Sequence, residues 1–448
     1  MIPALQTDRP SIVRLHAAGI ADASMGVVAP GAILLETHPD RVVVRAAGRP
    51  EALGAPDLPA PDRTVDLPDH LLIPALVNAH THLDLSHIGP VAHDPGDGFV
   101  AWVEHIRASR RETPEGIAEA VRLGVELSAK GGTVAVGDIA GAPGGRLTDT
   151  PARVLGASVL AGVSYLEFFG IGKSAPGTVE RLERFATRDL PALCAQLAGT
   201  PVRVGLQPHA PNTVDLGVYR WAAALASRLD LPLCTHLAET IEEHEFIKRG
   251  TGPQRAMLER FGVWDESVLH HAGRGLHPVA HLSPVLRAHR VLSAHVNDAT
   301  DDAIGLLAET DTPVVYCPRA SAYFRADRAF GPHRYRDMLA AGVPVCLGTD
   351  SIVNLDTPDR ISVLDEMRLL HRRDRTDPRT LLAMATVHGA AALGLNGAAV
   401  TLTPGPLAGL LGIPIARGVA RDDPDELWAS AMNQTAPPTV LILSRESF

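Results

Sequence analysis

The sequence predicts an α/β protein, a closed (β/α)8, TIM-like barrel carrying a small β module made from both ends of the chain. Three observations support this. Eight apolar runs of strand length alternate with mainly longer amphipathic segments between about residues 71 and 394. The runs lack strict apolar–polar alternation, as expected of parallel strands buried on both faces. The polar residues that interrupt them stand at their ends, where a barrel gathers every strand around one mouth. A doubly wound open sheet is the alternative, but no glycine-rich nucleotide loop follows the first run.

Residues 1–68 are short alternating or β-branched pieces broken by Gly, Pro and Asp, with RVVVRAAG (41–48) the clearest strand. The barrel is expected over 69–398. Its strands are LLIPALVNA (71–79), TVAVGDIA (133–140), VLAGVSYLEFF (159–169), PVRVGLQP (201–208), LPLCTHLAE (231–239), RVLSAHV (290–296), TPVVYCP (312–318) and GVPVCLGTD (342–350). Helices are expected near 113–130, 178–198, 216–229, 252–261, 299–310, 330–341 and 376–394. Over 399–448 the helical rhythm fails, and GPLAGLLGIPI with TVLILS read as a return to the β module. The connection 240–289 is long for a strand linker and is expected to form part of a binding wall. WVEHIR (102–107) reads as an amphipathic helix placed to act as a lid.

Composition narrows the function classes. The chain has 448 residues and is 46% hydrophobic, which suits a large core. Its formal charge, 41 minus 51, is −10, and no basic cluster stands out, so nucleic acid is not an expected partner. No run approaches the roughly 20 apolar residues of a membrane helix, and no targeting segment opens the chain, so a cytoplasmic location away from membranes is expected. Four cysteines (Cys194, Cys234, Cys317, Cys346) are widely spaced without a CxxC and read as reduced thiols.

The strand-end residues carry the chemistry. In LVNAHTHLDLSH (76–87), His80 and His82 are separated by one residue, so on an extended strand both face the same way. His209 follows VGLQP, His236 and Glu239 follow LPLC, His295 follows VLSA, and Asp350 follows VCLG. Three imidazoles and a carboxylate (His80, His82, His236, Asp350) suit a borderline divalent cation such as zinc, with room for water. Such a cation lowers the pKa of water toward neutrality and makes hydroxide available as a nucleophile. Glu239 is placed to move a proton to the leaving group, His295 to polarise the electrophile, and Asp350 to help deprotonate the water.

A blander reading stands beside this one. Twenty histidines make a chance HxH unremarkable, and His209 or Asp84 can serve simply as loop or capping residues. His87, His270, His271, His277 and His281 are placed by no motif, and Cys317 and Cys346 read as core. It is the ordered series of strand ends, rather than any one residue, that favours a metal site.

Taken together, these motifs resemble the amidohydrolase superfamily over about residues 70–395. The likeness is to the branch holding guanine deaminase, s-triazine hydrolases, S-adenosylhomocysteine and methylthioadenosine deaminases, and aminodeoxyfutalosine deaminase. PALVNAHTHLDLS resembles its first metal motif, QPHAPNTVD its fourth-strand signature, THLAET its fifth, SAHVN its sixth and LGTDS its eighth. The resemblance implies a β-sandwich formed by both termini, one divalent metal, zinc before iron, and hydrolytic loss of ammonia from an amino-substituted aromatic heterocycle, purine or nucleoside-like. It implies that Glu239 protonates the ring nitrogen, that His209 contacts substrate, and that VVYCPRASAYF brings Arg319 and Ser321 to it, with Asp84 at most a pocket residue or one just behind the pocket. Triazine or cyclic-amide hydrolysis, and a barrel that only binds, are the competing functions. No lysine is expected near the third or fourth strand, which favours one metal over two. Analogy adds a homodimer as an expectation.

EEHEFIKRGTGP, GVWDES and FVAWVEHIR point toward the aminodeoxyfutalosine-deaminase-like members. Two departures stand out. Ala320 and Ala322 flank Ser321 where relatives carry Ser-Asn, and 401–414 lacks the usual return-strand pattern.

Overall fold

The computed structural model describes residues 9–448; residues 1–8, counted above with the β module, lie outside them. Eight parallel strands follow one another in sheet order: Leu76–Thr81, Thr133–Ala140, Ala161–Phe168, Val202–Pro208, Leu233–Leu237, Val291–His295, Val314–Tyr316 and Val345–Leu347. Each overlaps a segment expected as a strand. Every residue of seven of them is buried, and only Arg203 of the fourth is exposed, as apolar strands wrapped by helices require.

The barrel closes at its carboxyl end. The amides of Thr349 and Asp350 both donate to the His80 carbonyl at 3.1 Å, and Thr81 bridges Asp350. Closure therefore uses the strand ends that carry His80, His82 and Asp350.

The terminal strands hydrogen-bond into one mixed sheet around a separate core that includes Val13, Leu15, Ile33, Leu35, Val65, Leu410 and Ile442. Both chain ends contribute, since Gly409–Pro414 pairs antiparallel with Arg63–Pro74 and with Thr439–Leu443. The apolar run expected as one barrel strand at 71–79 is thus two strands. Leu71–Pro74 ends the terminal sheet, and the barrel begins at Leu76 after Ala75. Uniform hydrophobicity hides that junction because both pieces are buried.

Several helices escaped the sequence reading, among them Thr150–Gly156, Ile241–Arg249, Pro278–Leu286, Val363–Asp374 and, where the helical rhythm was expected to fail, Pro424–Asn433. Val363–Asp374 packs against the barrel with Asp365, Glu366 and Arg368 buried on its inner face. Arg368 and Arg360 satisfy Asp365, and Arg319 satisfies Glu366, so the burial is paired. Charges on the inward face erase the apolar stripe by which a helix is read. Among the described residues no helix is long and apolar enough to cross a membrane.

Candidate metal and heterocycle site

The strand ends deliver their histidines to one place. His80, His82 and His236 each offer a ring nitrogen within 4.8 Å of the others, and His80, His295 and Asp350 do the same with nitrogen and carboxylate atoms. His82 Nε2 lies 3.3 Å and His80 Nε2 3.7 Å from Asp350 Oδ1. His236 and His295 stand 5.0 and 5.4 Å from the His80 ring, centroid to centroid.

The backbone reaches this arrangement through unusual torsions. Ala238, His295, Val296 and Asp350 all have positive φ, between 49° and 72°, although none is glycine. All four lie at the ends of the fifth, sixth and eighth strands, where left-handed turns re-aim side chains at some cost in strain. Neighbouring side chains hold them: His333 Nε2 contacts the His295 carbonyl at 2.9 Å, and Asn354 Nδ2 donates to Asp350 Oδ2 at 2.6 Å.

The donor set fits a divalent cation. His80 is 0% exposed, yet neither ring nitrogen has a hydrogen-bond partner, and His82 Nδ1 is likewise buried without one. Three orphaned nitrogens in one buried spot are costly unless something binds them. Burial, followed by neighbouring charges, holds His82 and His236 well below the ordinary imidazole range, so both are neutral and able to ligate. The His236 Nδ1–H donates to the His209 carbonyl at 3.1 Å, leaving Nε2 for metal. Burial pushes Asp350 up, but His80, His82 and His295 outweigh it and keep the carboxylate ionised.

Glu239 takes the opposite state. Burial first, then Asp350 and Glu243, raise its carboxyl well above the usual range. Its Oε1 lies 3.6 Å from His295 Nε2, and burial lowers that imidazole to about 3, so it is neutral. One carboxyl is protonated and another ionised at the same mouth, as acid–base chemistry at neutral pH requires.

Above the cluster lies a cavity of about 640 Å³, bounded by His82, His209, His236, Glu239, His295 and Asp350 and walled by Phe99, Trp102, Phe169, Met257, Leu258 and Phe261. The 240–289 connection supplies its wall through Gln254–Val263, and the helix Gly98–Ser109 supplies Phe99, Trp102 and Arg107. His209 faces the cavity with Nδ1 2.7 Å from Thr213 Oγ1, and burial followed by Arg110 lowers it to about 3.

Two residues lie elsewhere than the sequence reading put them, and a third stands just behind the cavity. Arg319 is not among the cavity-lining residues, because its donors go to Glu366, Asp356, Thr357 and the Ser362 carbonyl. Ser321 Oγ donates to Asn297 Oδ1 at 2.7 Å, away from the cavity lining. Asp84 is buried against Arg110 Nε at 3.2 Å and bears on the cavity only through that arginine. His87 ties the Asp84 carbonyl to that of Ser109 and is remote from the cluster.

The sequence reading missed Arg110 and Glu167. Glu167 is the penultimate residue of the third strand, is 3% exposed, and lies 3.8 Å from Arg110 Nη1 and 4.0 Å from His209 Nε2. A lone acid in the apolar run SYLEFF is the same signal that picked out His236 and Asp350. Gly141 makes room for Arg110, since a Cβ there would stand 2.2 Å from its Nη2. A lysine does lie near the third strand, contrary to expectation: Lys173 is five residues past its end, but exposed and outside the cavity lining.

Residues 71–427 match the model of the amidohydrolase family. The chain belongs to the amidohydrolase family. This amidohydrolase is 30% identical over 395 residues to a 5-methylthioadenosine/S-adenosylhomocysteine deaminase of Nitratidesulfovibrio vulgaris, covering 86% of this chain and 80% of that one. It is 28% identical over 388 residues to an aminodeoxyfutalosine deaminase of Deinococcus radiodurans, covering 82% of each. Its fold is similar to that of a Helicobacter pylori aminofutalosine deaminase (TM-score 0.72, 19% identity, 97% and 99% of the two chains). It is also similar to that of a zinc-bound adenosine deaminase of Xanthomonas campestris (TM-score 0.66, 21% identity, 98% and 95%).

Proposed function

We propose that this amidohydrolase is a metal-dependent deaminase of an amino-substituted aromatic heterocycle, of the purine-nucleoside kind its relatives' names describe. The observation that carries the reading is the buried convergence of His80, His82, His236 and Asp350, with unpartnered ring nitrogens on His80 and His82, beside Glu239 at the cavity floor. His80, His82, His236 and Asp350 hold the cation; the nitrogen–oxygen donor set and the zinc-bound Xanthomonas relative favour zinc. When bound, the cation supplies Lewis acidity and lowers the pKa of water toward neutrality.

The chain's own residues do the rest. Asp350 accepts a proton from the attacking water, and Glu239 gives its proton to the ring nitrogen beside the attacked carbon. The proton on Asp350 then goes to the departing amine and the hydroxyl proton passes to the Glu239 carboxylate, so ammonia leaves as the carbonyl forms and both acids return to their starting states. Neutral His295 stands 3.6 Å from Glu239, where it stabilises the developing charge. His209 contacts the ring, and Phe99, Trp102 and Phe169 keep water from it. A bare ring would leave much of a 640 Å³ cavity to solvent, so the substrate carries a substituent such as a sugar.

The test is metal analysis followed by an ammonia-release screen over adenosine-like, guanine-like, pterin-like and triazine compounds. The expected result is about one tightly bound divalent metal per chain and turnover on a purine nucleoside. Metal-loaded protein that releases ammonia from none of them would refute the reading.

A further inference from the structure

The turn that carries Glu239 is gripped from outside its own strand. THLAETIEE holds the signature of a capping box, with Thr240 at the N-cap of helix Ile241–Arg249 and Glu243 three residues on. Half of the box is present, because Thr240 Oγ1 accepts from the Glu243 amide at 3.2 Å. The reciprocal half is diverted. Instead of serving the N-cap amide, the Glu243 carboxylate reaches further back, with Oε1 accepting from Ala238 N at 2.9 Å and Oε2 from Glu239 N at 2.8 Å.

The two carbonyls of the same turn are held as well. The Asp298 amide donates to Ala238 O at 3.0 Å, and Asn297 Nδ2 donates to Glu239 O at 3.0 Å. All four polar backbone atoms of residues 238 and 239 are therefore engaged by groups beyond the turn. Ala238 needs this, because its φ of 52° is a left-handed torsion that a residue with a Cβ adopts only when its surroundings impose it. Glu243 is 2% exposed, so it is a built part of the interior.

We propose that Glu243 is a positioning residue that acts through Glu239: its carboxylate pins the left-handed turn and so sets where the Glu239 carboxyl meets substrate. This rests on the deaminase reading. Geometry, rather than stability or substrate affinity, is what its loss should disturb. A displacement of about 1 Å at a reacting group costs up to about a hundredfold in rate.

The experiment compares wild type, Glu243→Gln, Glu243→Asp and Thr240→Ala. The glutamine side chain keeps one acceptor and turns its N–H₂ against the other backbone N–H, while the shorter aspartate reaches one amide at best. The expected result is a fall in kcat of about 10- to 100-fold in Glu243→Gln, with KM within about threefold, a smaller fall in Glu243→Asp, and metal content unchanged. Hydrogen exchange in peptides covering 236–243 should quicken in both. Thr240→Ala removes the helix cap but leaves the clamp, and should keep kcat within about twofold. Wild-type kcat in Glu243→Gln or Glu243→Asp, or an equal loss in Thr240→Ala, would overturn the proposal. If wild type itself deaminates nothing, the functional reading fails, while hydrogen exchange still reports on the clamp: unchanged exchange would overturn it too.

Discussion

The floor of the cavity and its wall are built from opposite kinds of interaction. On the floor, strand ends are locked by buried hydrogen bonds: Asn78 Nδ2 donates to Thr349 Oγ1 at 2.8 Å, the Thr349 amide donates to Asn78 Oδ1 at 3.1 Å, and Thr81 Oγ1 donates to the Asp350 carbonyl at 3.1 Å. The wall is two helices, Gly98–Ser109 and Pro253–Arg260, tied by a half-exposed Glu104–Arg260 pair at 2.6 Å and by Arg107 over Phe261 at 4.2 Å. Exposed ion pairs contribute about 0–1 kcal/mol each, so these two helices are tied more weakly than the strand ends. The groups proposed for the chemistry stand on the floor, and most of those proposed to surround the substrate stand on the wall.

Substitutions can break that division, and the floor should respond most. His236→Ala should abolish bound metal and turnover together, measured by elemental analysis and ammonia release; retained metal with lost activity would point to another ligand set. Glu239→Gln should keep its metal and lose about 10²–10⁴-fold in kcat, the range for one general acid–base group.

Between floor and wall, Glu167→Gln should raise KM about 10- to 100-fold with little change in kcat, because a buried carboxylate facing the cavity is worth most as an acceptor for substrate. An equal loss in kcat would move Glu167 into the chemistry. At the wall, Phe261→Ala should raise KM only about two- to fivefold, the scale of one exposed cation–π contact and a little apolar area.

A last effect concerns stability against pH and lies outside the site. His281, on helix Pro278–Leu286, is lowered to about 4 by burial and then by His271. The folded protein keeps it neutral while the unfolded chain protonates it below about 6.5, so the unfolded state binds more protons in that window. Stability should therefore fall as pH drops from about 6.5 to about 4, by at most about 1.4 kcal/mol per pH unit from this residue. His281→Gln should flatten the slope of denaturation midpoint against pH, and an unchanged slope would show that other groups govern it.

How much was legible in the sequence follows from which signals are local. Each barrel strand is a short apolar run ended by a polar residue, so the strands and the cluster of His80, His82, His236 and Asp350 could be read one segment at a time. Arg319 could not. Its motif places it near the mouth, but Glu366 on a helix 47 positions away takes its guanidinium instead. Glu167 carried the strand-end signal and was passed over, whereas Arg110 gains meaning only from Glu167, across 57 residues of chain. The capping box at Thr240 was equally visible as a pattern, and its diversion to Ala238 and Glu239 was not.

Hydrophobic period and residue type belong to each segment alone, and they were enough to specify the barrel, the β module from both termini and the imidazole-rich strand ends. Folding the segments together settled the rest: burial raises the Glu239 carboxyl while imidazoles hold Asp350 down, and Ala238 and His295 are held in left-handed turns. Those states arise from burial and from neighbours distant in the chain, and desolvation has no local signature.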